Sequence, residues 1–198
     1  MVNSNIIPKT ESPFRAIYEP DYDNLKQIVE EFRRQGKKIV LTQGSWDMLH
    51  IGHVFYMEKA RTYGDVLIVG VDSDALIKKE KGPNRPVYPE TERVPTIIFL
   101  RQADVVTLRY AEHQPGDLVR VVRPDVFVIS ETTTGRNPDI ITEMQKEHEG
   151  VCGEIIVLPP QAATSTSNKI RLLVIEGVKN LKERLDAVIA EFMEDFKF

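Results

Sequence analysis

Short apolar runs rich in valine and isoleucine alternate along this chain with stretches of helical periodicity. The apolar runs occupy residues 38–42, 66–71, 104–108, 125–130 and 154–158. Between them, apolar residues recur every three or four positions over residues 53–63, 74–79, 90–102, 115–122 and 138–148. Buried strands that alternate with helices pair in parallel through right-handed crossovers. We therefore predict an α/β fold built on a doubly wound, Rossmann-like parallel sheet in a single domain.

The two ends of the chain differ from this central pattern. Residues 1–20 are polar, contain three prolines and have no sustained period, which predicts a loosely ordered N-terminal arm. The domain itself is expected over 21–176, opening with a helix that starts near Asp21 and ends at Gly36. Residues 177–198 are predicted to form a C-terminal amphipathic helix, which can pack on its own domain or on a second copy. Pro95 lies inside a predicted helix and should kink or break it.

Composition narrows the classes of partner. The 198 residues are 41% hydrophobic, which is enough for a core, and the formal net charge is −4. This charge offers no basic surface for nucleic acid or anionic membranes, so we expect neither and predict small-molecule partners. One cysteine cannot form an internal disulfide, and we find neither a secretory signal pattern nor an apolar window long enough to span a membrane. We expect a cytoplasmic protein.

The segment that follows the first apolar run carries the strongest chemical signal. Residues 44–53 read Gly-Ser-Trp-Asp-Met-Leu-His-Ile-Gly-His. In parallel α/β sheets, ligands bind beyond the carboxyl ends of the strands, and a helix N-terminus there favours anions. Gly44 and Gly52 allow a ligand to approach the backbone. His50 and His53 can donate hydrogen bonds to the same phosphate group, so we predict a phosphate site in this turn.

Other interpretations of these residues stay open. Two histidines at this spacing can be metal ligands, although no further cysteine, histidine or carboxylate stands at a suitable distance in the sequence. They can also be ordinary buried or surface histidines. Asp47 either caps the turn or orients a ligand or metal, and Thr42 either ends the strand beside a nucleotide or belongs to the core.

Two later segments add groups that bind phosphate. Lys81 and Arg85 lie in a polar loop rich in glycine and proline, where they can close over a polyphosphate or simply be solvated. Three hydroxyl residues precede the apolar run at 170–175, namely Ser165, Thr166 and Ser167. One of them should cap the helix that follows, and three in succession favour a second helix start that binds phosphate.

Taken in order, these segments resemble the cytidylyltransferase-like nucleotidyltransferases. That family's signature reads Thr-x-Gly-x-Phe-Asp, two apolar residues, and His-x-Gly-His; residues 42–53 match it with Trp46 in place of Phe. Residues 72–74 and 81–89 together with Arg93 look like the corresponding loop and helix of bacterial heptose-phosphate adenylyltransferases. Residues 165–170 are similar to the Ser-Thr-Thr helix opening of the family. The three blocks span residues 37–172.

This resemblance implies an HxGH nucleotidyltransferase fold and an activity. A nucleoside monophosphate, AMP from ATP, would pass to a sugar phosphate such as a heptose 1-phosphate with release of pyrophosphate. Mg²⁺ would bridge the phosphates, and the enzyme would be a homodimer. The catalytic residues would be His50, His53 and Lys81. The nucleotide would be bound by Thr42, Gly44, Ser45, Trp46, Asp47, Gly52, Asp72, Arg85, Arg93, Ser165, Thr166 and Ser167.

One segment departs from the heptose enzymes. After the strand at 125–130 those enzymes continue with a lysine and glycines, whereas residues 130–136 here read Ser-Glu-Thr-Thr-Thr-Gly-Arg. This loop follows a strand's carboxyl end, where an acceptor would lie, so the acceptor can differ and Arg136 would anchor its phosphate. CTP with glycerol 3-phosphate or another polyol phosphate is the alternative within the class. A non-catalytic nucleotide sensor is the alternative outside it.

Overall fold

The computed structural model describes residues 16–134, 138–163 and 166–195. The chain divides into two compact units, one ending at Ala163 and the other beginning at Thr164. The first unit contains the sheet, and the described part of the second is one helix.

All described strands belong to one parallel sheet. They are β1 (Ile17–Tyr18), β2 (Ile39–Gly44), β3 (Val66–Asp72), β4 (Val105–Arg109), β5 (Val126–Ser130) and β6 (Glu154–Leu158). Their order across the sheet is β1-β4-β3-β2-β5-β6, and every pairing is parallel. From β2 the chain adds β3 and β4 on one side of the sheet, and then crosses back to add β5 and β6 on the other side of β2. The carboxyl end of β2 lies at this reversal, where ligands bind in such sheets.

Seven of the described helices lie between consecutive strands, and an eighth follows the last strand. They are α1 (Tyr22–Arg34), α2 (Ile51–Arg61), α3 (Asp74–Lys81), α4 (Glu90–Ile98), α5 (Asp117–Val122), α6 (Glu131–Thr134), α7 (Pro138–Glu147) and α8 (Thr166–Asp195). Side chains that precede α1 and α3 cap their first turns. Asp21 accepts from the N–H groups of Asp23 and Asn24, and Ser73 accepts from that of Leu76. Such caps satisfy amides that have no partner within the helix.

Alternation along the strands gives the sheet two apolar faces. Val40, Val69 and Val106 pack in one buried cluster with residues of α2 and α4. Leu41 and Ile68, which point the other way, pack in a second cluster with residues of α1 and α5. Each fully buried side chain of this size contributes about 1.5–3 kcal/mol to folding. The predicted doubly wound parallel sheet is thus confirmed.

Two predictions about local structure were wrong. Ile17 and Tyr18, assigned to the N-terminal arm, form β1 and pair in parallel with Val105 and Val106 of β4. This strand is too short to show a period in the sequence. The helix expected over 90–102 ends at Ile98 and continues through Pro95 without a break. Pro95 lacks the N–H that would bond to the carbonyl group of Thr91, and the helix forms on both sides of it.

The second unit is the helix α8. It runs unbroken across residues 176 and 177, where the sequence led us to expect a boundary. Its large apolar side chains are exposed, including Val178, Leu181 and Leu185. In the described part of the chain, no helix is both long and apolar enough to cross a membrane.

Candidate active site

The turn between β2 and α2 has an unusual backbone. Trp46 and Met48 both have φ near +50°, a region that residues other than glycine enter at an energetic cost. The Trp46 ring is buried, and its indole N–H donates to the carbonyl oxygen of Gly70 at 2.9 Å. This contact ties the turn to β3, the neighbour of β2, and α2 begins shortly after it at Ile51.

His50 and His53 meet at the start of α2. His50 is the N-cap, and its Nδ1 accepts from the N–H of Gly52 at 3.1 Å. His53 Nδ1 accepts from the N–H of His50 at 3.3 Å, and the centres of the two rings are 4.0 Å apart. A Cβ on Gly52 would lie 2.9 Å from His50 Cε1, so a side chain there would displace the ring. The structure therefore brings the imidazole pair together at a helix N-terminus.

Lys81 reaches this turn from the end of α3. Its Nζ donates to Ser45 Oγ at 2.8 Å, across 36 residues of sequence. The Lys81 side chain is exposed, so its ammonium group remains accessible to a ligand. The segments at 42–53 and 81–89, two of the three blocks recognised in the sequence, thus meet at this turn.

Asp47 holds the connector between α3 and α4. Its carboxylate is 2% exposed and accepts from the N–H groups of Val87 and Tyr88, each at 2.9 Å. Arg85 Nη2 pairs with the same carboxylate at 2.8 Å. Arg85, expected at the polyphosphate, is therefore tied to Asp47, and the Asp47 carboxylate fixes residues 85–88 against the turn.

Arg93 is buried beneath the site, and its hydrogen bonds are made to other groups of the protein. It is 1% exposed, and its Nε donates to the carbonyl oxygen of Tyr88 at 2.9 Å. Its Nη1 donates to the carbonyl oxygen of Ser45, while Nη2 donates to that of Asp72 and to the Asp74 carboxylate. One guanidinium thus ties together the turn, the end of β3, the start of α3 and the connector.

Two further residues predicted at the nucleotide are also engaged within the protein. Asp72, 4% exposed, accepts from Arg109 Nε at 2.8 Å. Sequence reasoning missed Arg109. The sequence shows only a charged residue directly after the apolar run at 104–108, and its place beside Asp72 follows from the pairing of β3 with β4. Thr42 is fully buried, and its Oγ1 lies 3.0 Å from the hydroxyl of Tyr56. β2 continues past Thr42 to Gly44, so the strand does not end at Thr42 as expected.

Several predicted residues cannot be placed at this site. Ser165 and Arg136 lie outside the described residues, as do the side chains of Thr166 and Ser167. Within the described ranges, no group of three or more histidine, cysteine, aspartate or glutamate side chains could hold a metal ion.

A parallel sheet with a sharp turn and a helix start at its point of reversal defines a class of nucleotide-binding α/β proteins. A family model described as Cytidylyltransferase-like matches residues 41–173, which run from within β2 into α8 and include the turn that carries His50 and His53. The chain therefore belongs to the cytidylyltransferase-like family, and by class it is a nucleotidyltransferase.

The curated relatives include several named bifunctional protein HldE. That of Desulfatibacillum aliphaticivorans is 39% identical over 158 residues, covering 79% of this chain and 30% of the relative. That of Nitratiruptor sp. is 42% identical over 108 residues, covering 54% of this chain and 23% of the relative. The chain thus matches less than a third of the length of these relatives.

Solved structures share the fold. A lipopolysaccharide core biosynthesis protein from Thermoplasma volcanium superposes with a TM-score of 0.53 at 24% identity, over 62% of this chain and 97% of that one. A pantoate-β-alanine ligase from Francisella tularensis superposes with a TM-score of 0.55 at 17% identity, over 77% and 69% of the two chains. At these identities the likeness establishes the architecture.

Proposed function

We propose that this protein transfers AMP from ATP to a phosphorylated small-molecule acceptor, a sugar phosphate such as a heptose 1-phosphate, and releases pyrophosphate. The observation that carries the proposal is the 2.8 Å contact between Lys81 Nζ and Ser45 Oγ. It places a cation at the turn that ends in the imidazole pair, as transfer between phosphates requires.

The reaction needs alignment and charge stabilisation. A phosphate oxygen of the acceptor attacks the α-phosphorus of the triphosphate in line, and the bond to the pyrophosphate oxygen breaks. A phosphate monoester is already ionised near neutral pH, so no general base is needed. His50 and His53 donate to the oxygens of the α- and β-phosphates, and Lys81 neutralises the departing pyrophosphate. Alignment can contribute roughly 7 kcal/mol, and each well-placed donor roughly 3 kcal/mol.

Mg²⁺ is part of the proposal as a partner of the nucleotide. The two acidic side chains beside the turn are already engaged, Asp47 by Arg85 and two backbone N–H groups, and Asp72 by Arg109. These carboxylates would therefore not hold the ion, and Mg²⁺ would depend on the phosphate groups of the nucleotide for its binding. When bound there, Mg²⁺ would neutralise charge on the triphosphate.

The choice of ATP and of a sugar phosphate rests on likeness. The connector at 81–89 resembles that of heptose-phosphate adenylyltransferases, and relatives named bifunctional protein HldE match most of the chain. CTP with a polyol phosphate is the competing pair, because residues 130–136 depart from the heptose pattern. A homodimer is also part of the proposal, and light scattering after size-exclusion chromatography tests it.

The decisive assay measures pyrophosphate release with each of the four nucleoside triphosphates against a panel of sugar and polyol phosphates. Binding is followed separately through Trp46, because it is the chain's single tryptophan and its ring centre lies 5.7 Å from that of His53. We expect release with ATP and a sugar 1-phosphate. Release with CTP and a polyol phosphate would establish the competing pair, and nucleotide binding without release with any acceptor would indicate a sensor.

His53→Ala tests the role of the imidazole pair. We expect turnover to fall roughly 100-fold, because a donor to the phosphate charge is lost while the sheet is untouched. Circular dichroism confirms that the variant is folded. Turnover at the parent rate would refute this assignment.

A further inference from the structure

Arg109 ends β4 with a guanidinium that the protein uses only in part. Its Nε donates to the Asp72 carboxylate at 2.8 Å, and the side chain is 19% exposed. The two terminal nitrogens, Nη1 and Nη2, are not buried, and they make no hydrogen bond within the part of the chain that the structure describes. A guanidinium carries its N–H donors in one fixed plane. Arg109 is therefore an oriented cation with donors left for a ligand.

The sheet places Arg109 at the same edge as the imidazole turn. Asp72 and Arg109 are paired at the carboxyl ends of β3 and β4, and β3 lies between β4 and β2. Neighbouring strands are about 4.8 Å apart, so the end of β4 is about 10 Å from the end of β2. A small molecule bound at the turn can span this distance together with the long side chain of Arg109.

Hydrogen bonds join the turn to the end of β4. Arg93 Nη1 donates to the Ser45 carbonyl oxygen in the turn, and Arg93 Nη2 donates to that of Asp72 at 2.8 Å. The N–H of Ser73 then donates to the carbonyl oxygen of Arg109 at 2.9 Å. The imidazole turn and Arg109 are thus attached to one framework.

The surroundings of Arg109 suit a polar ligand. Three buried oxygens have no hydrogen-bond partner among the described residues, namely Gln43 Oε1, Tyr22 Oη and Thr107 Oγ1. Gln43 and Thr107 flank Gly70 in adjacent strands, on the face of the sheet that carries Arg109. Burial raises the pKa of Tyr22 and the Arg109 charge acts in the opposite direction, which places those two groups near each other. Ordered water or a ligand usually completes such buried polar atoms.

We propose that Arg109 binds the phosphate group of the acceptor, donating from Nη1 and Nη2 to its oxygens while Asp72 holds the guanidinium in place. The role as acceptor site rests on the proposed function, whereas the binding of phosphate at Arg109 does not. A planar guanidinium matches phosphate oxygens with two parallel donors, which the ammonium group of Lys81 cannot do. Arg109 then positions the attacking group, and Lys81 neutralises the departing pyrophosphate.

Arg109→Lys tests these donors without leaving Asp72 unpaired. Lysine can keep the ion pair, but it cannot present two parallel N–H groups. We expect the KM for the acceptor to rise about tenfold, because hydrogen bonds to a charged group are lost. The KM for the triphosphate should stay within about twofold and the melting temperature within about 2 °C. Circular dichroism measures the melting temperature on the same samples.

Arg61→Lys is the matched control. Arg61 Nε pairs with Asp104 at 3.2 Å, but Asp104 directly precedes β4 and so lies at the opposite edge of the sheet. This variant should leave both KM values near those of the parent. An acceptor KM that is unchanged in Arg109→Lys, or that rises only in Arg136→Met, would overturn the proposal.

Binding is also measured without turnover, by NMR of the protein labelled with ¹⁵N at histidine and titrated with inorganic phosphate or glucose 1-phosphate. His113 is the reporter, because its ring centre lies 4.3 Å from that of Tyr22. His148, which packs against Phe127, is the reference. We expect the His113 signals to shift with ligand, and the affinity to fall about tenfold in Arg109→Lys. Equal affinities in the parent and in Arg109→Lys would refute the site.

These outcomes separate the proposal from the proposed function. If phosphate binding depends on Arg109 but no triphosphate reacts with any acceptor, the phosphate site stands and the transferase assignment fails. If the enzyme is active and its acceptor KM is indifferent to Arg109→Lys, the transferase stands and the role of Arg109 is refuted.

Discussion

Replacing Arg93 by methionine should destabilise the protein and disorganise the site together. The substitution keeps an unbranched apolar stem but removes the guanidinium. That group is 1% exposed, and it donates to the carbonyl oxygens of Tyr88, Ser45 and Asp72 and to the Asp74 carboxylate. Methionine leaves all four acceptors without this donor.

The magnitude follows from these contacts. Hydrogen bonds from a charged donor contribute about 1.5–3 kcal/mol each and are not additive within one network. Breaking a buried ion pair by removing one partner costs about 3–5 kcal/mol. The Asp74 side chain is 27% exposed and water can solvate part of its charge, so the lower end applies. We therefore expect a loss of about 3 kcal/mol, which corresponds to a melting temperature lower by about 6–12 °C.

Loss of the hydrogen bond from Arg93 to the Ser45 carbonyl oxygen should also slow the reaction. Ser45 Oγ accepts from Lys81, so freedom at Ser45 lets the ammonium group move relative to the imidazole pair. Small misplacements of this kind cost about 10- to 100-fold in rate. We expect this loss in kcat at a temperature where the variant is fully folded, with a smaller change in KM.

The assay is thermal unfolding followed by circular dichroism. Steady-state kinetics are measured about 15 to 20 °C below the variant's melting temperature, where the variant is folded. Arg101→Met is the matched control, because Arg101 is exposed just beyond α4. Its effect should stay within about 0.5 kcal/mol. An Arg93→Met protein that melts within 2 °C of the parent, a shift worth roughly 1 kcal/mol or less, would refute the network's structural role.

Three other predictions test separate parts of the molecule. Lys81→Met should lower kcat/KM about 100-fold with an unchanged melting temperature, whereas Lys79→Met on the same helix should stay near the parent. Trp46→Phe removes the donor to the Gly70 carbonyl oxygen, and calorimetry should show a loss of about 1 kcal/mol, or about 2–4 °C. Burial lowers the pKa of His148, so the unfolded chain binds more protons. Urea titrations should therefore show stability falling as pH drops below about 6.5, less steeply in His148→Gln.

Most of the fold could be predicted from local patterns in the sequence. The strand at 154–158 was predicted with its observed bounds, and β5 and β3 to within one residue. The errors fell where local pattern is weakest. β1 has two residues, and its place is decided by pairing with β4, which lies almost ninety residues further along the chain. α4 ends at Ile98, four residues before the predicted end, because periodicity defines the ends of a helix less well than its middle.

The candidate site likewise contains residues whose roles were predicted from the sequence and residues whose roles were not. The imidazole pair and Gly52 were found because a helix start imposes a spacing within four residues of chain. Lys81 was found because it was predicted in a polar loop rich in glycine and proline, although the structure makes it the last residue of α3. The roles of Asp47 and Arg93 were not, since a charged residue in a sequence does not reveal whether its partner is a ligand or the protein.

By itself, the order of residues determined the parallel sheet and the imidazole turn, because hydrophobic period and helix capping act between neighbours along the chain. Tertiary structure decided which charges remain for a ligand. Arg93 reaches a carbonyl group 48 residues away, and Asp47 binds backbone amides 40 and 41 residues away. Such pairs exist only after the strands take their places in the sheet, because buried charges must find partners among whatever groups folding brings beside them.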